Sequence, residues 1–118
     1  MSARNSAALA RARRVQAPVF AALGDATRLS LVAKLCERSP QSISELTAGS
    51  KLSRQAISKH LQVLQEAGFV AGAHVGRECR YAFDPRPMDD IRSYLDQMSR
   101  RWDEALGRLK SFVERSTQ

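Results

Sequence analysis

Between Ser53 and Leu64 the chain reads SRQAISKHLQVL. Ser53, Arg54, Gln55, Ser58, Lys59, His60 and Gln62 place hydroxyl, guanidinium, amide, ammonium and imidazole groups in one short segment. Such groups suit the base edges and phosphates of a nucleic acid. A guanidinium can bond both acceptors of a guanine, and an amide can pair with the donor and acceptor of an adenine. Hydroxyls and ammonium groups suit phosphate oxygens, which set register without reading sequence. Any one of these side chains alone is an ordinary solvated surface group, so the weight rests on their sharing one face.

A helix would give them that face. Ile57, Leu61 and Leu64 fall at i, i+4 and i+7 with Ala56 beside them, and they form the side that must be buried. Ser53, Arg54, Gln55, Ser58, Lys59 and Gln62 then take the other side. His60 falls between the two, where contact with a phosphate and simple filling of a groove are equally open. Ser53 is a natural N-cap and Gly68 a natural stop. The helix's own positive end would further favour anions.

The flanking segments supply a scaffold. Helical spacing begins near Pro18 with Val19, Phe20 and Leu23 and ends at Gly24. Asp25 can cap a second helix reaching about Arg38. In it Leu29, Val32 and Cys36 share a face, with Leu31 and Leu35 beside it, and Ser39-Pro40 breaks the helix. Ser42-Ile43-Ser44-Glu45 fits a capping box for a short third helix, and Ala48-Gly49-Ser50 a turn. The third and fourth helices then form a helix-turn-helix. FVAGAHV and ECRYAF, joined by Gly76-Arg77, read as a β-hairpin with Arg77 at its tip, Arg80 on a strand and His74 on its surface. Asp84-Pro85-Arg86-Pro87 reads as a rigid break. A last helix, about Met88 to Glu114, repeats apolar residues every three or four positions, among them Leu95, Met98, Trp102, Leu106 and Leu109. One small domain can hardly cover such a stripe, so a subunit interface is expected there.

Charge is distributed unevenly. Residues 1–83 carry 12 Lys and Arg against 5 Asp and Glu, whereas residues 84–118 carry 7 of each. The excess favours a polyanionic partner for the first part. Residues 1–15, with Arg4, Arg11, Arg13 and Arg14, read as a basic, flexible arm, and residues 16–114 as one domain. No apolar run is long enough for a membrane span, and arginines stand where a secretory signal needs its apolar centre. A cytoplasmic location is therefore expected. No nucleophile–base pairing, Gly-rich phosphate loop or metal cluster can be placed, so an enzyme is not expected, nor a cofactor. Cys36 and Cys79 form no CxxC, and both are expected as small buried hydrophobes. A thiol- or metalloid-sensing pair is the alternative, and it needs exposed thiolates.

ALGDATRLSLVAKL, LSRQAISKHLQVLQEAGFV and HVGRECRYAF together resemble the winged-helix repressors of the ArsR type, over about residues 16 to 113. The resemblance implies a mainly α fold with a small β-hairpin wing, dimerising through its first and last helices (Val19, Phe20 and Leu23; Leu95, Met98, Trp102, Leu106 and Leu109). It implies a homodimer on an imperfect palindrome of double-stranded DNA. Ser53, Arg54, Gln55, Ser58, Lys59 and His60 would read that DNA, with Arg77 in the wing; Gln62 and Arg80 join them from the helix and hairpin reading. Arsenic- and cadmium-sensing members of that family carry Cys-x-Cys where this chain has Ser42-Ile43-Ser44, and serine hydroxyls are poor ligands for thiophilic ions. Zinc-sensing members place His with acidic residues on the last helix, which here has no His or Cys. A metal-independent repressor is the expectation. A winged-helix module that binds protein and not DNA is the second alternative.

Overall fold

The structure is a computed structural model describing residues 16–117. The basic arm expected at residues 1–15 lies outside them. The described residues fall into two compact units, one ending at Met88 and one starting at Asp89.

The first unit contains four helices and a sheet. Helix α1 runs through residues 16–23. It is followed by α2 (Ala26–Glu37), β1 (Gln41–Ser42), α3 (Ile43–Thr47), α4 (Arg54–Glu66), β2 (Val70–Val75) and β3 (Glu78–Phe83). The expected caps are in place. The Asp25 carboxylate accepts the Arg28 N–H at 3.0 Å at the start of α2. At α3 the Ser42 hydroxyl accepts the Glu45 N–H while the Glu45 carboxylate accepts the Ser42 N–H, which is a complete capping box. Helix α4 ends on Gly68 at φ +87°, with Gly68 N–H bonded to Gln65 O and Phe69 N–H to Leu64 O. Glycine suits that left-handed position because it has no Cβ to clash. The turn delivers Phe69, fully buried, directly into the core.

That core comprises Leu31 and Leu35 of α2, Leu46 of α3, Ile57, Leu61 and Leu64 of α4, and Phe69, each 2% exposed or less. Burying a side chain of this size stabilises the fold by roughly 1.5–3 kcal/mol. The triad Ile57, Leu61 and Leu64 is the one the spacing predicts. On α2 the buried face is Leu31, Val32 and Leu35, while Leu29 is 52% exposed and Cys36 is exposed. The expectation that Leu29 and Cys36 pack inward therefore fails for both. Apolar residues occur on most of the α2 surface, and the core partners select the stripe.

The hairpin expected around Gly76-Arg77 forms, with Val75 opposite Glu78 and Val70 opposite Phe83. Gly76 at the tip has φ +67° and no other residue there has positive φ, as in a type II′ turn. A third strand was not expected. β1 pairs antiparallel with β3, Gln41 opposite Tyr81 and Ser42 opposite Arg80, giving the order β1-β3-β2. Two residues are too short for an alternating pattern to reveal. The buried Gln41 side chain also donates to the carbonyls of Lys34 and Arg38, closing the end of α2.

Helix α5 (Arg86–Ser116) is longer than expected and, at 31 residues, spans about 46 Å. The Asp84-Pro85-Arg86-Pro87 segment is its start more than a break. Asp84 accepts the Arg86 N–H at 3.0 Å, and Pro87 sits in the first turn, where its missing N–H costs no helical bond. Within the second unit Leu95, Trp102, Leu106, Leu109, Phe112 and Val113 are all exposed. No helix among the described residues is long and apolar enough to cross a membrane.

Candidate nucleic-acid interface

Helix α4 is presented as its sequence requires. With Ile57, Leu61 and Leu64 buried, Arg54, Gln55, Ser58, Lys59 and Gln62 are exposed on the outer face. The first turn contains no acidic residue, so nothing offsets the partial positive charge at the helix start. Ser53 is exposed, and its hydroxyl oxygen accepts the Ala56 N–H at 3.1 Å, leaving its own proton free to donate. Gln62 lies 3.5 Å from Glu66, away from that end.

The two hairpin arginines differ. Arg77 is exposed in the turn and has no ion pair among the described residues. Arg80 is half-buried, 3.3 Å from Glu78 and 3.8 Å from Glu45, and Glu45 also bonds Arg38 at 3.1 Å. This chain of charges ties the hairpin to α3. Glu45 is held below the usual carboxylate range, chiefly by the Ser42 N–H of the capping box. His74 is exposed on β2, as expected.

His60 is the residue that its helix position leaves undecided. It is half-buried, with Nδ1 3.2 Å from the Arg28 guanidinium and 3.8 Å from the Asp25 carboxylate. Arg28 in turn donates to Ala22 O at 2.6 Å and to Ala21 O at 3.4 Å, closing the end of α1. The Asp25 carboxyl is lowered, chiefly by the Arg28 backbone N–H that it accepts. Sequence reasoning identified Asp25 as a cap but missed Arg28, whose partner lies 32 residues away.

Serines stand where the resembled repressors carry Cys-x-Cys. Ser42 is 2% exposed, and its hydroxyl is engaged in the capping box. Among the described residues no group of three or more His, Cys, Asp or Glu side chains is placed to hold an ion. Of the residues expected at a subunit interface, Val19, Leu23 and Met98 are half-buried, while Phe20, Leu95, Trp102, Leu106 and Leu109 are exposed.

Residues 25–71 match the family model for bacterial regulatory proteins of the arsR family. The chain is 36% identical over 85 residues to the HTH-type transcriptional regulator Rv2034 of Mycobacterium tuberculosis, covering 72% of this chain and 76% of that protein. It is 35% identical over 79 residues to an HTH-type regulator of Bacillus subtilis, YuzN, covering 62% of this chain and 86% of the relative. An ArsR-like transcriptional regulator from Rhodococcus sp. RHA1 superimposes with a TM-score of 0.69 at 38% identity, over 84% of this chain and 92% of that one. The α4 surface, the hairpin beside it and these likenesses agree: the chain belongs to the ArsR family of winged helix-turn-helix transcriptional regulators.

Proposed function

We propose that this regulator is a homodimeric, cytoplasmic repressor that reads a palindromic operator through α4 without a metal ion. The observation that carries the reading is the outer face of α4, where Arg54, Gln55, Ser58 and Lys59 are exposed around an acid-free helix start. Base-reading residues belong at that end of a recognition helix. Arg77 on the hairpin adds a reach toward a neighbouring phosphate or minor groove. The exposed stripe of α5 supports self-association, because apolar area of that extent on a regulator favours a partner subunit. The serines at the family's thiolate position support metal independence.

The test is fluorescence anisotropy on DNA from upstream of the protein's own gene, at several salt concentrations, against scrambled DNA. A preference of about 10³-fold or more for its own site is expected. Affinity should fall with salt at a slope of about −0.9 per phosphate neutralised. Equal binding to both DNAs would remove sequence-specific regulation at that site, and no binding to either would favour a protein-interaction module.

One observation favours a second reading of the switch. Cys36 is an exposed free thiol, and Cys79 is half-buried beside Tyr81, whose phenol is raised by burial and by its hydrogen bond with Cys79. A thiol-responsive repressor predicts that C36S/C79S no longer releases DNA on treatment with peroxide or arsenite. Release that persists in the double variant excludes it.

A further inference from the structure

The α4 surface has two flanks beside its groove-facing centre. Gln55, Lys59 and Gln62 lie at the centre of the exposed side, while His60 lies on one flank, next to the buried stripe. In a groove the flank of a recognition helix meets the wall, which is phosphate. What His60 can offer there depends on which of its nitrogens carries the proton.

Arg28 decides that. Its guanidinium has only donors, so at 3.2 Å it requires a lone pair on His60 Nδ1. The proton of a neutral imidazole must then sit on Nε2. Asp25 is the one acid facing the same nitrogen, at 3.8 Å, beyond hydrogen-bond reach, and its Oδ1 is already taken by the Arg28 N–H at 3.0 Å. Arg28 itself is anchored on the Ala21 and Ala22 carbonyls, so it cannot swing away without uncovering the end of α1. Among the described residues no group bonds His60 Nε2, and 23% of the side chain is open to solvent.

We propose that Arg28 is a positioning residue for DNA recognition: it holds His60 as the neutral Nε2–H tautomer, and His60 donates that N–H to a phosphate on the flank of α4. The proposal rests on the DNA-reading role of α4. It makes His60 a sequence-blind contact that adds affinity without neutralising a charge. The salt slope should therefore be indifferent to it, unlike that of a lysine contact.

Two substitutions separate the two nitrogens. His60→Gln keeps an amide donor near Nε2. His60→Asn keeps an acceptor for Arg28 near Nδ1 and has no outer donor. H60N is expected to weaken binding about tenfold, the worth of one hydrogen bond to a charged group, on operator and scrambled DNA alike and with an unchanged salt slope. H60Q is expected to stay within about threefold of the parent by the same reasoning. Arg28→Gln should lose a similar factor, show no further loss when combined with H60N, and shift the ¹⁵N resonances of His60 away from the Nε2–H pattern of the parent. Equal losses in H60N and H60Q, additive losses in the double variant, or an Nδ1–H pattern in the parent would overturn the proposal while leaving α4 as the reader. A parent protein that binds no DNA would overturn both. A slope reduced by about 0.9 in H60N would show a charged His60 and overturn the neutral-donor assignment.

Discussion

Helices α4 and α5 solve the problem of one-sided burial differently. Helix α4 buries Ile57, Leu61 and Leu64 almost completely and exposes hydrophilic groups that water satisfies. Helix α5 leaves six large apolar side chains between 38% and 63% exposed, Leu95, Trp102, Leu106, Leu109, Phe112 and Val113. The first surface is at rest without a partner and can wait for one that competes with water, such as a nucleic acid. The second carries apolar area whose exposure to water is unfavourable, so burial against a partner would stabilise it. Two helices of one chain thus carry two different kinds of surface, one polar and one apolar.

The largest effect that can break this contrast lies on α5. Trp102→Ala should raise the dimer dissociation constant by about 30-fold or more, the roughly 2 kcal/mol of an interface hot spot. DNA binding should weaken with it. Sedimentation velocity at micromolar protein checks this, and an unchanged profile removes Trp102 from the interface. On α4, Gln55→Ala should cost about 1–3 kcal/mol on the operator and blur preference at one base position. An equal loss on scrambled DNA would reassign Gln55 to phosphate. A smaller effect is expected behind both surfaces. Ser42→Ala removes the cap of α3 and should lower stability by about 1 kcal/mol, a few degrees in Tm, without altering base preference in the folded protein.

The mildest test uses pH. Asp25 and Glu45 both sit below their ordinary values of 3.8 and 4.5, because helix N–H groups bond the charged forms. Their contribution is fully present above those values and is lost as pH falls through the lower folded-state values. Thermal melts between pH 6 and 3 should show stability falling at the acid end, and Glu45→Gln should flatten part of that fall. A variant with the same acid profile as the parent would show that the capping box carries no linkage.

Much of this was readable from local chemistry. Asp25, Ser42 and Ser53 cap helices because short oxygen-bearing side chains reach the first free N–H groups, and that is a three-residue affair. Gly68 and the Gly76-Arg77 turn are equally local, and α4 has one apolar stripe, so its exposed face follows. The parts that did not follow depend on distant partners. Helix α2 has apolar side chains on several sides, and only packing chooses Leu31 and Leu35 over Leu29 and Cys36. The β1 strand exists because β3 lies alongside it. The role of Arg28 depends on His60, and nothing in the residues around either one announces the other.

Ser42 carries a mechanical consequence. It occupies the last position of β1, opposite Arg80, and at the same time caps α3. Displacement of β3 is therefore coupled through Ser42 to the first turn of α3, and the Arg80–Glu45 ion pair joins the same two elements. Strand pairing and helix cap thus meet in one residue, so the sheet and the start of α3 are built on a shared point.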